Sequence, residues 1–268
     1  MKAERILLYS AKKGYVSEND ICEVEAWLDR FGITHERYTE GYDFRRCDTI
    51  IALGGDGTML SASKFAYEND KPIMSINFGT LGYMCGLEKS ELMLLSALKN
   101  NFETEKRMLL DMKVIRNGET VCQSTALNEA LIARRADGEM ASILLQCDGV
   151  RVCDYRADGL IIATPTGSSA YAMSAGGPII DTKLDAFCVC PICPHALGAR
   201  AMVFSPNSVL EAVDMNRLGS GNLLISDGKS VCELVRGDRI IVCRSEKTLS
   251  LIKLKKDAFY ETFYNKMS

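Results

Sequence analysis

The first hundred residues alternate between short apolar runs and segments with helical periodicity. Apolar runs at residues 5–9, 48–53 and 72–77 predict buried strands. Between the first two runs, an S-x-x-D start at Ser17 followed by an apolar stripe predicts a helix, and a helical pattern recurs after the second run and again over 90–98. Alternating strands and helices are typical of a parallel sheet covered by helices, whose ligand site lies at the carboxyl ends of the strands.

From about residue 105 the pattern changes to short alternating runs separated by turn dipeptides, which predict β-hairpins. The four dipeptides are Asn117-Gly118, Asp148-Gly149, Asp227-Gly228 and Gly237-Asp238. We therefore predict a fold of class α/β plus all-β. An N-terminal parallel α/β (Rossmann-like) domain covers 1–100, and a C-terminal all-β domain, a β-sandwich or an irregular barrel, covers 101–251. The tail at 252–268 has a helical pattern from Asp257 and is expected to pack back on the first domain.

Charge and composition narrow the classes of function. The 268 residues are 47% apolar and 25% charged, as in ordinary globular proteins, and a net charge of −3 gives no electrostatic reason to expect a nucleic-acid or membrane partner. The N-terminal apolar core of four residues is too short for a secretion signal, and the longest apolar tract, 186–204, is interrupted by proline, histidine and arginine. Eleven cysteines without a secretion signal predict reduced thiols in a cytoplasmic protein.

The tightest cysteine cluster consists of Cys188, Cys190 and Cys193, and His195 follows closely. Thiolates and an imidazole are typical zinc ligands, so a metal site is one interpretation. The other interpretation is small buried side chains on a strand and its following turn. Short matches of this kind are often accidental, so we expect no metal bound to these side chains.

A glycine-rich turn follows the second predicted strand, with the sequence Gly54-Gly55-Asp56-Gly57-Thr58. It is neither a Walker A loop nor a G-x-G-x-x-G fingerprint. Three glycines in four positions indicate positive φ or a ligand close to the backbone, and a strand, turn and helix start in this order binds anions. Asp56 would repel a phosphate there, so its carboxylate needs another purpose. One alternative is an N-cap for the following helix, which does not explain the three glycines.

Two further segments carry candidate ligand contacts. The loop at 77–83 follows the third strand, and its glycines and aromatic residues suit either a wall against a planar ligand or an ordinary buried turn. The segment at 158–171 leads an apolar strand into four closely spaced hydroxyls and a tyrosine. These are either turn and cap groups or hydrogen-bond partners for sugar hydroxyls and a base. Glu129, inside the apolar run TALNEALIA, needs a partner if it is buried, but not if it faces solvent.

In combination these segments resemble the NAD kinase family over most of the chain. The resemblance rests on GGDGT at 54–58, NFGTLGY at 77–83, NE at 128–129, DGLIIATPTGSSAYAMSAGGP at 158–178, PICPHAL at 191–197 and ISDGK at 225–229. Lipid kinases and phosphofructokinases carry turns similar to GGDGT, whereas the long hydroxyl segment with the NE pair upstream is specific. One departure is Ser169, where many members of the family have threonine; the hydroxyl is kept.

The resemblance implies an enzyme that transfers the γ-phosphoryl group of ATP, or of polyphosphate, to the 2′-hydroxyl of the adenosine ribose of NAD, which yields NADP. It implies that Asp56 is the general base for this poor nucleophile and that ATP carries Mg²⁺. It also implies a nucleotide site formed by Gly55, Gly57, Leu81, Tyr83, Asn128, Glu129, Asp158, Thr166, Ser169, Ala170, Tyr171 and Ser174. Arg156 is a candidate partner for the new 2′-phosphate, although an exposed arginine needs no ligand. The resemblance further implies a homo-oligomer, a dimer or a tetramer, in which a neighbouring subunit completes each nucleotide site.

Two other functions compete with this one. A GGDGT kinase that acts on a lipid or a sugar would leave the hydroxyl segment unexplained, and no basic amphipathic surface for a membrane substrate is apparent. A non-catalytic NAD(P)-binding sensor would gain nothing from the carboxylate of Asp56. Formation of NADP from Mg–ATP and NAD distinguishes an NAD kinase from both.

Overall fold

A computed structural model of the chain describes residues 2–11, 16–79, 82–84, 86–100, 102–135, 139–216, 221–255, 260 and 263–264. The chain divides into two compact units. The first comprises Met1–Lys106 together with Leu249–Ser268, and the second comprises Arg107–Thr248. The predicted tail helix from Asp257 lies mostly outside the described residues.

A parallel sheet forms the centre of the first unit. Its strands are β1 (Arg5–Ser10), β2 (Thr34–Arg37), β3 (Thr49–Leu53), β4 (Ile73–Asn77) and β5 (Leu87–Glu88). Their order is β2–β1–β3–β4, with β5 beside β4, and all these pairs are parallel. Every residue of β3 and β4 is buried, as expected for strands covered on both faces. The three predicted strands are therefore confirmed.

The sequence pattern misses β2. This strand, THER, is polar and only partly buried, because it forms the edge of the sheet and has a single strand neighbour. An edge strand needs no apolar face on its open side, so its sequence carries little of the signal that identifies a buried strand.

Helices α1 (Glu18–Arg30) and α2 (Asp56–Glu68) follow the first and third strands. α1 begins at the predicted position, where the Ser17 hydroxyl accepts a hydrogen bond from the Asp20 N–H at 3.2 Å and the Ser17 N–H donates to the Asp20 carboxylate at 3.1 Å. This reciprocal pair is a capping box.

The predicted helix over 90–98 forms as a 3₁₀-helix, Lys89–Lys99, rather than as an α-helix. Its buried residues, Leu92, Leu95 and Leu98, are each three positions apart. This spacing fits the three residues per turn of a 3₁₀-helix, so one face of it packs against the core.

Two antiparallel sheets form the second unit. The strands are β6 (Glu103–Arg116), β7 (Glu119–Ala126), β8 (Glu129–Arg134), β9 (Ala141–Cys147), β10 (Val150–Ala157), β11 (Gly159–Ala163), β12 (Phe187–Ile192), β13 (Met202–Phe204), β14 (Leu210–Asp214), β15 (Asn222–Ser226), β16 (Lys229–Glu233) and β17 (Arg239–Lys253). One sheet has the order β10–β9–β14–β17, with β6 beside β17 and β7 beside β6, and the other has the order β13–β12–β11–β8–β15–β16.

One hydrophobic core joins the two sheets of the second unit. It contains Leu110 of β6 and Leu145 of β9 from the first sheet, and Ile132 of β8 and Leu224 of β15 from the second. Together with the parallel sheet of the first unit, this arrangement confirms the predicted fold class of α/β plus all-β.

Three of the four predicted hairpins form. Asn117-Gly118 joins β6 to β7, Asp148-Gly149 joins β9 to β10, and Asp227-Gly228 joins β15 to β16. Both residues of each turn have positive φ, as a type I′ turn requires. The prediction for Gly237-Asp238 is wrong, because this turn leads from β16 to β17, and these strands belong to different sheets.

The cysteine cluster lies on β12 and in the turn after it. Cys188 and Cys190 are fully buried, with their sulfur atoms 3.4 Å apart, whereas Cys193 and His195 are exposed. In the described part of the chain, no three His, Cys, Asp or Glu side chains are arranged to hold a metal ion, and the ten cysteines are free thiols. Nor does this part contain a helix long and apolar enough to cross a membrane.

Candidate functional site

The glycine-rich turn connects β3 directly to α2. Gly54 has φ of 139°, and a Cβ there would lie 2.5 Å from the Thr58 hydroxyl, so this position requires glycine. α2 begins at Asp56, and its N-cap is Gly55, with no side-chain cap. Asp56 therefore does not cap the helix, and that alternative for its carboxylate is wrong.

The carboxylate of Asp56 instead reaches the loop after β4. It accepts hydrogen bonds from the Tyr83 N–H at 2.9 Å and from the Met84 N–H at 3.0 Å. The two glycine-containing loops that the sequence singled out are therefore joined through Asp56. Leu81, the other predicted contact in this loop, lies outside the described residues.

Gly55 and Gly57 leave space beside the backbone. A Cβ added at either position would meet no atom of the described chain within 4 Å. Packing among the described residues therefore does not explain these two glycines. The first N–H groups of a helix have no acceptor inside the helix, so the start of α2 can bind an anion such as a phosphate.

In the second unit, the segment Leu127–Asn128–Glu129 enters β8 with every backbone polar group bonded. Its three N–H groups donate to the carboxylate of Asp227, at 2.8, 2.8 and 3.1 Å. The Leu127 carbonyl accepts from the Thr164 hydroxyl at 2.5 Å, and the Asn128 carbonyl accepts from the Thr164 N–H at 2.8 Å. The Glu129 carbonyl accepts from the Asp227 N–H at 3.2 Å.

The side chains of Asn128 and Glu129 are buried but incompletely bonded. The two residues are 7% and 8% exposed, and neither Asn128 Oδ1 nor Glu129 Oε2 has a hydrogen-bond partner among the described residues. The solvent-facing alternative for Glu129 is therefore wrong. A buried polar atom without a partner costs about 1–3 kcal/mol, which a ligand with complementary groups would recover.

The carboxyl group of Glu129 is also hard to ionise. Burial and, to a smaller extent, the negative charge of Asp227 raise its pKa to about 7. Burial likewise raises the pKa of Asp227, although its three backbone donors act in the opposite direction.

The hydroxyl segment forms turn and cap hydrogen bonds, the first of the two purposes that its sequence suggests. The Thr164 hydroxyl fixes Leu127, and the Ser168 hydroxyl donates to the Pro165 carbonyl at 2.6 Å and accepts from the Ile180 N–H at 2.9 Å. These two hydroxyls build the segment itself. Thr166 and Ser169 are also buried, and the Ser169 hydroxyl donates to the Thr166 carbonyl at 3.2 Å.

The remaining predicted residues of this segment are more accessible. Tyr171 and Ser174 are exposed on α3 (Tyr171–Ser174), and Ala170 is half-buried just before it. All three follow β11 along the chain, and the end of this strand lies next to Glu129, which pairs with Ala163. The structure therefore brings these residues to the same end of the second sheet as Glu129.

Asp158 and Arg156 lie at the opposite end of β11. Asp158 precedes the strand and accepts a hydrogen bond from Arg134 Nε at 2.6 Å. Arg156 is exposed and makes no ion pair in the part of the chain that the structure describes. Five residues of strand separate these side chains from the Glu129 end, a length of about 16 Å. The second unit thus does not bring them together with Asn128 and Glu129.

Two residues of the second unit have roles that the sequence does not predict. Asp227, a residue of a hairpin turn and of the ISDGK motif, fixes the backbone N–H groups of Asn128 and Glu129. Thr164, one of a group of hydroxyls, fixes the backbone carbonyls of Leu127 and Asn128. The turn dipeptide signals the hairpin, but nothing local signals hydrogen bonds to a segment about a hundred residues away.

Comparison with known proteins is consistent with this geometry. Residues 10–100 match the ATP-NAD kinase N-terminal domain, and residues 127–254 match the ATP-NAD kinase C-terminal domain. The NAD kinase of Lachnospira eligens is 37% identical, in a match that covers 82% of this chain and 80% of the relative. The NAD kinase of Desulforamulus reducens is 32% identical, with 97% and 96% covered.

Solved structures are also similar to this chain. An NAD kinase from Archaeoglobus fulgidus in complex with ATP matches with a TM-score of 0.80 and 25% identity, over 98% of both chains. Yeast NADH kinase complexed with NADH has the same fold, with a TM-score of 0.86 and 19% identity over 100% of this chain and 88% of the other. The chain therefore belongs to the NAD kinase family, whose members are phosphotransferases.

Proposed function

We propose that the protein transfers the γ-phosphoryl group of ATP to the 2′-hydroxyl of the adenosine ribose of NAD, with Asp56 as the general base. The position of Asp56 is the observation that carries the proposal. Its carboxylate lies in the glycine-rich turn, does not cap α2, and forms no ion pair in the described chain; two backbone N–H groups hold it in place. A carboxylate fixed in this way can accept the proton of a secondary alcohol, a poor nucleophile.

The glycine-rich turn would bind the phosphates of the donor. The space beside Gly55 and Gly57 lets phosphate oxygens approach the backbone, and the start of α2 supplies N–H groups. Mg²⁺ would enter as the Mg–ATP complex and neutralise part of the triphosphate charge. Phosphates and water supply most ligands of such an ion, so the protein needs to supply few ligands of its own. Asp56 is the carboxylate of this turn that could serve as one of them.

Asn128 and Glu129 would hold the dinucleotide. Their unpartnered oxygens are suited to the hydroxyl and amide donors of NAD, and their fixed backbone limits where those oxygens can lie. Tyr83, Thr166, Ser169, Ala170, Tyr171 and Ser174 would complete the contacts to the bases and sugars.

Arg156 and Asp158 would act on a nucleotide bound by a neighbouring subunit. Their separation from Glu129 by the length of β11 supports this assignment, since a single second unit does not present both groups to one ligand. The proposal therefore includes a homo-oligomer. It also includes a cytoplasmic location, which the free thiols of the described cysteines support.

The test of this function follows NADP production from NAD and Mg–ATP through a coupled NADP-dependent dehydrogenase. We expect product with ATP, and a parallel reaction with polyphosphate measures the range of donors. If neither ATP nor polyphosphate yields NADP, the proposal is wrong.

Asp56→Asn tests the role of the base. Loss of a general base lowers turnover by about 10²–10⁴-fold, while NAD binding measured by calorimetry should change little. The control is Asp48→Asn, because the Asp48 carboxylate in the same unit also accepts two backbone N–H groups, from Glu4 and Arg5. We expect the control to keep normal turnover. Equal turnover in Asp56→Asn and the wild type would remove Asp56 from the chemical step.

A further inference from the structure

Asp227 connects a hairpin turn to the start of β8. Its carboxylate accepts the N–H groups of Leu127, Asn128 and Glu129, which lie 98 to 100 residues earlier in the chain. Leu127 and Asn128 precede β8, so strand pairing is not what bonds their N–H groups. Asp227 supplies the acceptors at the point where the chain enters the strand.

This contact fixes the two residues whose side chains lack partners. Asn128 and Glu129 are both buried, and each has one unpartnered oxygen. The direction of a side chain follows from the position of its backbone, so a rotation of this segment would move both oxygens. Thr164 holds the carbonyl side of the segment, and Asp227 holds the N–H side.

We propose that Asp227 is a positioning residue for the dinucleotide, which acts by holding the backbone of Asn128 and Glu129 so that their side chains meet NAD. This inference rests on the proposed function, because it concerns the binding of its acceptor substrate. Asp227 itself does not contact the nucleotide.

Asp227 also affects Glu129 through its charge. In the described chain, Asp227 is the one charged group that shifts the titration of Glu129, and it raises the pKa of that carboxyl. Lys229, on β16, acts on Asp227 in the opposite direction, favouring its ionised form. Removal of the charge at Asp227 should therefore lower the pKa of Glu129, an effect that a general loss of stability does not produce.

Two substitutions distinguish a role of Asp227 in positioning Asn128 and Glu129 from a role in folding. Asp227 has φ of 47°, which asparagine and glycine adopt readily, so Asp227→Asn and Asp227→Gly both preserve the turn. Asparagine keeps one acceptor oxygen and removes the charge, whereas glycine removes every side-chain acceptor. We expect KM for NAD to rise about tenfold or more in Asp227→Asn, and further in Asp227→Gly, with a smaller change in kcat.

The pH profile is the second measurement. In Asp227→Asn the midpoint of the pH dependence of kcat/KM for NAD should move to lower pH, as the pKa of Glu129 falls. Asp214→Asn is the matched control. Asp214 is a buried carboxylate of the same unit that accepts from the Asn216 N–H and from Asn222 Nδ2, so its replacement costs similar stability while KM and the pH midpoint stay as in the wild type.

Each outcome decides between the proposals. If the wild type forms no NADP, the proposed function fails. If the wild type forms NADP and both Asp227 variants keep its KM and its pH midpoint, the positioning role fails alone. Failure of Asp227→Asn to fold, measured by thermal unfolding, would show that Asp227 serves the fold itself and would also overturn the positioning role.

Discussion

Gly167→Ala is expected to disturb the segment that carries Asn128. A Cβ at position 167 would lie 2.1 Å from the carbonyl oxygen of Asn128, 2.6 Å from its carbonyl carbon and 2.8 Å from its Cα. All three are backbone atoms, so no side-chain rotation can relieve the contact. The two segments would have to separate by about 1 Å to restore ordinary van der Waals contact.

The cost follows from the hydrogen bonds that join the same segments. Separation would weaken the bond from the Thr164 N–H to the Asn128 carbonyl, 2.8 Å, and the bond from the Thr164 hydroxyl to the Leu127 carbonyl, 2.5 Å. At about 1 kcal/mol each they sum to about 2 kcal/mol. Alanine restricts the unfolded chain and offsets about 0.4–1 kcal/mol of this. A net loss of about 1–1.6 kcal/mol lowers the midpoint of thermal unfolding by about 2–6 °C.

Calorimetry and steady-state kinetics measure the two consequences. The Gly167→Ala protein should unfold at a lower temperature, and its KM for NAD should rise because the Asn128 backbone has moved. Gly198→Ala is the control, since a Cβ at that exposed position meets nothing within 4 Å. If Gly167→Ala unfolds at the temperature of the wild type with an unchanged KM, the close approach of these two segments has no energetic or functional role.

Two further predictions concern ionisation and helix capping. Since burial and Asp227 raise the pKa of Glu129 from 4.5 to about 7, the folded protein retains a proton that the unfolded chain has released, and stability falls as pH rises through this interval. Glu129→Gln should remove up to about 3 kcal/mol of that fall, measured by urea unfolding at about pH 5 and about pH 8; an unaltered pH dependence would contradict the assignment. Ser17→Ala should lower the free energy of unfolding by about 1 kcal/mol without a change in KM, because it deletes the capping box of α1. Equal stability of the variant and the wild type would show that this cap contributes nothing.

Local sequence patterns predict the strands and the helix start whose stability comes from neighbouring residues in the sequence. The apolar runs of β1, β3 and β4 identify strands buried on both faces, and the Ser17 capping box marks the start of α1. The polar edge strand β2 escaped detection, because its stability comes from pairing with β1 rather than from an apolar face of its own.

The candidate site could be predicted only in part, for a related reason. The sequence identifies Asp56, Asn128 and Glu129 as polar groups in unusual surroundings. It does not show that Asp56 bonds to the backbone at Tyr83 and Met84, because those partners are N–H groups that every residue except proline possesses. A hydrogen bond from a backbone N–H to a distant side chain does not depend on the type of the donating residue, so the sequence does not reveal it.

The three hairpin turns illustrate how such a contact limits protein engineering. Asn-Gly is a strong sequence for a type I′ turn, and substitution towards favoured turn residues is a common route to higher stability. The chain has Asn117 at one turn but aspartate at the other two, where the carboxylates of Asp148 and Asp227 accept N–H groups from Val209 and from the segment before β8. A redesign that judged each turn by its local preference alone would treat the three as interchangeable. At Asp148 and Asp227, the carboxylate of the turn residue also binds the backbone of another part of the chain. A substitution that stabilised either hairpin would therefore remove the hydrogen bonds that hold that other segment in place.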